Sequence, residues 1–207
     1  MRILELLAGT VLLCAGSARA DVVFSNLAGL NLTFYPVYGS FYHSPLSMAA
    51  AFTPGSNYTL TDAEVRVFGF IGSELDVSIA RDSSGLPGSA IEQIGFGLTA
   101  PATPAGGLVT AKSIATPISL NAGTRYWLVL KASLPTSNIG WFAGGTASVP
   151  LAQEVNGTWS ALTAGTAQFQ IDGTAEAVPE PAAGLPLGSA IGVLLLAGMK
   201  RNRSQGF

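Results

Sequence analysis

The feature that most constrains the fold of this chain is a two-residue period in its apolar side chains. From position 62 to 67, charged residues at even positions alternate with alanine and valine at odd positions. Positions 75–79 repeat the pattern with leucine, valine and isoleucine. Successive side chains of a β-strand point to opposite faces of a sheet, so this alternation predicts strands with one buried and one solvated face.

Short β-branched and aromatic runs, separated by Gly, Pro and Asn clusters, predict further strands. The predicted strands are Met48–Phe52, Thr61–Val67, Leu75–Ile79, Ala90–Phe96, Lys112–Ile118, Thr124–Lys131, Ile139–Phe142 and Ala167–Asp172. The predicted turns are Pro54-Gly55, Asp82–Gly88, Pro101–Gly107, Asn121–Gly123 and Asn156-Gly157. Many short strands joined by such turns predict an all-β fold, an antiparallel β-sandwich with jelly-roll-like connections.

One predicted strand is apolar on both of its faces. Tyr126, Leu128 and Leu130 share one face, and Trp127 and Val129 share the other. A strand of this kind is typical of positions that are covered on both sides of the sheet. We therefore expect this strand to be buried on both faces.

Residues 1–20 have the organisation of a secretory signal peptide. A basic Arg2 is followed by the apolar run Ile3–Leu13, which is too short to span a hydrocarbon core about 30 Å thick. An A-x-A sequence ending at Ala20 predicts cleavage by signal peptidase before Asp21. A lipoprotein signal at Cys14 is disfavoured, because the bulky Leu13 precedes it.

Residues 178–207 combine a short motif, an apolar span and a basic tail. The motif is Val178, Pro179, Glu180 and Pro181. The span 182–199 would reach about 27 Å as a helix, which predicts a single hydrophobic helix of marginal length for a membrane. The basic residues are Lys200, Arg201 and Arg203. The positive-inside rule predicts that this tail stays cytoplasmic while the preceding chain is exported.

This three-part segment resembles the PEP-CTERM sorting signal of Gram-negative bacteria. The resemblance implies that residues 182–199 hold the precursor in the inner membrane transiently. It also implies that an exosortase cuts near Pro179–Pro181 and releases or transfers the mature protein toward the cell surface. An ordinary C-terminal membrane anchor is the alternative, and the mass of the exported protein distinguishes the two.

Residues 21–177, one domain by length, carry three motifs of a second resemblance. Ile79–Asp82 leads into Gly85–Gly88, an aromatic strand lies within Leu120–Leu128, and Phe169–Gly173 precedes the sorting segment. Together they resemble the choice-of-anchor R domain, an extracellular β domain found before different anchoring signals. The resemblance implies a fold and a location, and no activity.

Composition excludes several function classes for residues 21–177. Ten acidic residues against five basic ones leave a net charge of −5, which argues against nucleic-acid and anionic-membrane partners. The single cysteine, Cys14, leaves with the signal peptide, and His43 is the only histidine. One histidine without a nucleophile motif supports neither a hydrolase triad nor a zinc site, so we expect no catalysis, metal or cofactor.

Acidic residues offer two further possibilities, each with a simpler alternative. The pairs Asp62 with Glu64 and Glu74 with Asp76 could serve glycoside hydrolysis, but a solvated sheet face explains them more simply. Asp82–Gly85 could bind calcium, whereas a self-capping turn explains the same residues without a metal.

Aromatic residues suggest a carbohydrate-binding surface as the alternative function. Five of them lie within the stretch 34–42, and others lie farther along the chain. The candidate stacking residues for an exopolysaccharide are Tyr35, Tyr38, Trp141 and Trp159. Ordinary core packing is the competing explanation, because the spacing in 34–42 mixes both faces of a strand. The principal prediction remains a non-catalytic surface or extracellular-matrix protein with a structural role in biofilm.

Overall fold

A computed structural model describes residues 20–27, 33–42, 44–102, 106–112 and 117–176. The signal peptide up to Arg19, His43, and the whole sorting segment with its predicted helix lie outside these residues. Within the described ranges, no helix has the length and apolar character needed to cross a membrane.

Thirteen β-strands form most of the described chain. They are β1 Asp21–Ser25, β2 Phe34–Tyr38, β3 Leu46–Phe52, β4 Tyr58–Gly69, β5 Glu74–Ser83, β6 Leu86–Thr99, β7 Gly107–Lys112, β8 Ser119–Leu120, β9 Tyr126–Ala132, β10 Asn138–Phe142, β11 Leu151–Val155, β12 Thr158–Ala161 and β13 Phe169–Ala175. One 3-10 turn, Ser40–Tyr42, follows β2. The all-β prediction is confirmed.

The strands form one curled antiparallel sheet. Its order is β1-β13-β4-β10-β2-β3-β9-β5-β6. Strands β7 and β8 also pair with β4, and the hairpin β11–β12 joins the sheet through β3. The curl turns one face of the sheet inward, where it encloses the main core. The largest buried members of this core are Met48, Leu75, Ile79, Leu120, Tyr126, Leu128, Leu130, Ile139, Trp141, Leu151 and Phe169. The first and last strands of the domain are direct neighbours, with Asp21 opposite Gly173.

Strand β4 confirms the alternation that the sequence predicts. Ala63, Val65 and Val67 are fully buried in the main core, whereas Asp62 and Glu64 lie on the opposite, partly exposed face. Hydrogen bonding to β13 and β10 as well as to β7 and β8 makes β4 a central strand. Side-chain alternation and backbone pairing therefore fix the same register.

Strand β9 is buried on both faces, as predicted. Tyr126, Leu128 and Leu130 belong to the main core. Trp127 and Val129 belong to a second apolar group on the other side, which we call the outer cluster. Its members are Ala49, Ala51, Ala80, Trp127, Val129 and Ala152, with Leu86 and Trp159 packed against them. The hairpin β11–β12, which carries Ala152 and Trp159, therefore contributes to covering the outer cluster.

The strand predicted at Lys112–Ile118 falls mainly on residues 113–116, which lie outside the described residues. Strand β7 ends at Lys112, and Pro117 and Ile118 lie outside any strand, just before β8. Proline has no amide hydrogen to donate to a sheet ladder, which agrees with the position of Pro117 outside β8.

The two-sided burial of β9 predicts that neighbouring residues on opposite faces both matter for stability. Leu128→Ala should lower the free energy of unfolding by about 2–5 kcal/mol, and Trp127→Ala by about 3–5 kcal/mol, because each leaves a cavity. Ile71→Ala is the control, because Ile71 is 99% exposed and its loss should change stability by about 0.5 kcal/mol or less. Chemical denaturation measures all three. A near-neutral Trp127→Ala would contradict a second core.

Candidate functional site

Asp82 joins two of the motifs that resemble the choice-of-anchor R domain. Its Oδ2 accepts a hydrogen bond from the backbone N–H of Gly85 at 3.1 Å, and its Oδ1 accepts one from Trp127 Nε1 at 2.8 Å. The guanidinium of Arg125 lies 3.8 Å from the same Oδ1. Protein donors thus occupy both carboxylate oxygens, which supports the self-capping turn over a calcium site.

The first predicted carboxylate pair is part of a larger acidic row on the outward face of β4 and β13. Asp172 lies directly opposite Asp62, and Gln170 Nε2 donates to both carboxylate oxygens of Asp172 at 3.1 and 3.0 Å. Burial, followed by repulsion from Asp62 and Glu64, raises the pKa of Asp172 above its ordinary value of 3.8. The sequence did not predict Asp172 as a member, because it lies over a hundred residues away in the chain.

The second predicted pair contains a residue that links strands. Asp76 on β5 accepts hydrogen bonds through Oδ1 from the hydroxyl of Ser133 and from the backbone N–H of Gly97 at 3.0 Å. These donors come from the chain just after β9 and from β6, the two neighbours of β5. The carboxylate of Asp76 therefore ties three neighbouring segments together.

The four candidate stacking residues lie on two different sides of the sheet. The prediction that Trp141 stacks on a polysaccharide is wrong. Trp141 is completely buried, its Nε1 donates to the carbonyl oxygen of Gln168 at 2.9 Å, and its ring packs edge-on against Phe169. Tyr35 lies directly opposite Trp141 and packs against the main core. A ring without solvent exposure cannot stack on a polymer, so Trp141 is a core residue.

Tyr38 and Trp159 lie on the other side of the sheet, in or beside a cleft. The cleft has a volume of about 380 Å³ and is lined by residues of β2, β3, β9 and β11 together with adjoining loops. We call it the Tyr38 cleft. The residues that matter for its chemistry are Tyr38, Ser47, Lys131, Ser133 and Glu154.

An ion pair forms the charged part of the Tyr38 cleft. Lys131 Nζ lies 2.8 Å from Glu154 Oε2 and 5.9 Å from the centre of the Trp159 ring. Trp159 is the cross-strand neighbour of Glu154, and Lys131 follows the apolar residues of β9. Sequence reasoning missed both charged residues. The one sequence signal that could have indicated this site is Lys131, a charged residue at the end of the otherwise apolar run of β9.

Two further rings extend Tyr38 toward solvent. The Tyr38 and Tyr42 rings are 5.4 Å apart and inclined at 36°, and Phe41 meets Tyr42 edge-on at 5.8 Å. Phe41 is 69% exposed and Tyr42 is 40% exposed. We call these three residues the aromatic rim. Its exposed rings are amphipathic or apolar surfaces next to hydroxyl, amine and carboxylate groups.

Of the predicted processing residues, the structure describes one. Ala20 is exposed and immediately precedes β1. The residues of the sorting motif and the basic tail, Val178 to Pro181, Lys200, Arg201 and Arg203, lie outside the described residues. Comparisons with protein-family models, with curated proteins and with solved structures give no match to this chain.

The acidic row predicts a pH-dependent effect of Asp172→Asn. The pKa of Asp172 is higher in the folded state than in the unfolded state. Protonation of this carboxyl therefore favours folding at pH values below its unfolded-state pKa, and this contribution to stability is lost as the pH rises through its folded-state pKa. Asp172→Asn should therefore raise the Tm at pH 7, and the gain should shrink toward pH 3.

Thermal unfolding across this pH range measures the effect on Tm. Glu176→Gln is the matched control, because it removes one exposed carboxylate outside the row and should leave the pH dependence unchanged. A Tm at pH 7 that is lower for Asp172→Asn than for the unmodified chain would contradict the repulsion.

Proposed function

We propose that this chain is an exported cell-surface or extracellular-matrix protein of a Gram-negative bacterium, with a non-catalytic, structural role in biofilm. Its domain is a β-sandwich with jelly-roll-like connections, followed by a single hydrophobic helix at residues 182–199. Signal peptidase cleaves after Ala20, and an exosortase processes the chain near Pro179–Pro181. The sequences at the two ends are the basis of this proposal.

The geometry of the described domain supports processing at both ends. Ala20 is exposed, and β1 begins with the next residue, so the sheet loses no strand residue on cleavage. Strand β13 ends at Ala175, before the Pro-Glu-Pro motif. Every strand that the described residues form therefore lies between the two proposed processing sites.

The role of several acidic residues in packing supports a non-catalytic domain. Asp82 is held by Gly85 and Trp127, and Asp76 is held by Ser133 and Gly97. A glycosidase needs two carboxyl groups about 5–10 Å apart across a substrate cleft. Glu154 is the one carboxylate among the described residues that line the Tyr38 cleft, so these residues lack the second carboxyl group of a glycosidase. Glu154 is also paired with Lys131.

The proposal predicts the mass of the protein after export. The mature chain should begin at Asp21 and end near the Pro-Glu-Pro motif, and intact-mass spectrometry of the exported protein measures both ends. Neutralising Lys200, Arg201 and Arg203 together by glutamine should reduce membrane retention of the precursor, because the cytoplasmic charge is lost. Arg81→Gln, Lys112→Gln and Arg125→Gln combined form the control with equal charge loss. An exported protein that retains Lys200–Phe207 would contradict the sorting role.

The Tyr38 cleft favours a second candidate function, a carbohydrate-binding module for exopolysaccharide. Sugars present an apolar face of C–H groups and an edge of hydroxyl groups. The aromatic rim offers rings for such a face, and Lys131, Glu154 and Ser47 surround the cleft with polar groups. Both kinds of surface meet within one open depression.

Carbohydrate binding predicts retention of the protein on the exopolysaccharide of its host. Tyr42→Ala should weaken retention by about tenfold, or about 1.4 kcal/mol of binding free energy, because the ring that would cover the apolar face of a sugar is lost. Phe96→Ala is the control, since Phe96 is 79% exposed and does not line the cleft. Affinity electrophoresis in gels that contain the polymer measures the change. Equal retention of both variants would rule out the rim as the binding surface.

A further inference from the structure

We infer that the Tyr38 cleft selects an uncharged polysaccharide and binds a short stretch of it. The inference rests on the carbohydrate-binding function proposed above and adds the chemical class of the ligand. It follows from how the charges, hydroxyl groups and rings of the cleft are arranged.

The charges of the cleft cancel each other. Lys131 and Glu154 are the charged residues among those that line it, and their side chains lie 2.8 Å apart. A uronate or sulfate group that approached Lys131 would also meet the carboxylate of Glu154. The described domain adds a net charge of −5, which repels anionic polymers at long range. An uncharged ligand meets none of this repulsion.

The same ion pair can recognise neighbouring hydroxyl groups. The ammonium of Lys131 has three N–H donors and uses one toward Glu154, while the carboxylate of Glu154 retains free lone pairs. Two adjacent hydroxyl groups of a sugar can then accept from Lys131 and donate to Glu154. Charge-assisted hydrogen bonds of this kind are stronger than neutral ones. The pair thus provides directional contacts without a net charge.

The backbone that carries the aromatic rim is anchored to the loop 134–137. The backbone N–H of Phe41 donates to Pro135 O at 2.9 Å, and that of Gly39 donates to Ser137 O at 2.9 Å. A side chain at Gly39 would overlap the backbone of Leu134 and Pro135, so only glycine allows this close approach. A backbone anchored in this way loses little conformational entropy when a ligand binds.

The volume and position of the cleft suit part of a chain rather than a whole polymer. About 380 Å³ lies at the lower end of the ~300–1,000 Å³ range of small-molecule sites. Tyr42 and Phe41 continue the surface beyond the cleft, where the next sugar units of an extended polymer would lie. Contacts at the rim would therefore add to those made in the cleft when several consecutive sugar units are bound.

The test is binding of the full-length chain, in a zwitterionic detergent without a sugar headgroup, to polymers of known charge. Dextran, pullulan and galactomannan are the uncharged probes, and alginate and hyaluronan are the anionic ones. We expect retention on at least one uncharged polymer, unchanged between 50 and 500 mM salt, and about tenfold weaker for Tyr42→Ala. Phe96→Ala should bind like the unmodified chain.

A second variant tests the role of the ion pair. Glu154→Gln leaves Lys131 without its counter-charge, so alginate should gain affinity by at least about threefold while the uncharged polymers lose affinity. Glu74→Gln is the control, because it removes the same charge outside the cleft. It should neither increase the affinity for alginate nor decrease the affinity for the uncharged polymers. Circular dichroism and Tm confirm that each variant is folded.

The outcomes separate the inference from the function on which it rests. Preferential binding of alginate or hyaluronan that depends on Tyr42 would overturn the uncharged class and keep carbohydrate binding. Absence of binding to every polymer, with the chain folded, would overturn both. Binding of an uncharged polymer that both Tyr42→Ala and Glu154→Gln leave unchanged would remove the Tyr38 cleft as the site.

Discussion

Burial of β9 on both faces is the constraint on which the rest of the structure depends. Its inward side chains complete the main core, and Trp127 and Val129 on its outward face require a second apolar cover. The β11–β12 hairpin contributes to that cover. The same hairpin brings Glu154 beside Lys131 and Trp159, so the Tyr38 cleft exists because the outer face of β9 is covered.

The hydrogen bond between Trp127 and Asp82 links this burial to the turns of the domain. A tryptophan N–H inside an apolar group needs an acceptor, and Asp82 supplies it while also capping its own turn. One carboxylate thus fixes the β5–β6 hairpin and the start of β9 together. The sequence motifs around residues 79–88 and 120–128 contain the residues that make these hydrogen bonds. Their role is to hold turns and strands together, which explains why neither motif has the pattern of a catalytic or binding site.

Sequence patterns predicted the strands whose two faces differ clearly or are both apolar, such as β4 and β9. They did not predict β1, β2, β11 or β12, because these strands are short, contain Pro36 or polar residues, and gain order from pairing with distant segments. The acidic row and the Tyr38 cleft could not be predicted from the sequence for the same reason. Sheet pairing alone brings Asp62 next to Asp172, and it alone brings Lys131 next to Glu154. Trp141 and Tyr38 are both aromatic residues near a strand end, and only the curl of the sheet buries one and leaves the other partly exposed.

The pairing of β1 with β13 determines how the domain would respond to mechanical force. Because the two strands are antiparallel neighbours and Asp21 faces Gly173, the chain enters and leaves the sheet at the same end. Pulling the two termini apart would load the hydrogen bonds between β1 and β13 one after another, as in unzipping, instead of loading them all at once in shear. The domain would therefore resist little tension applied between its two termini.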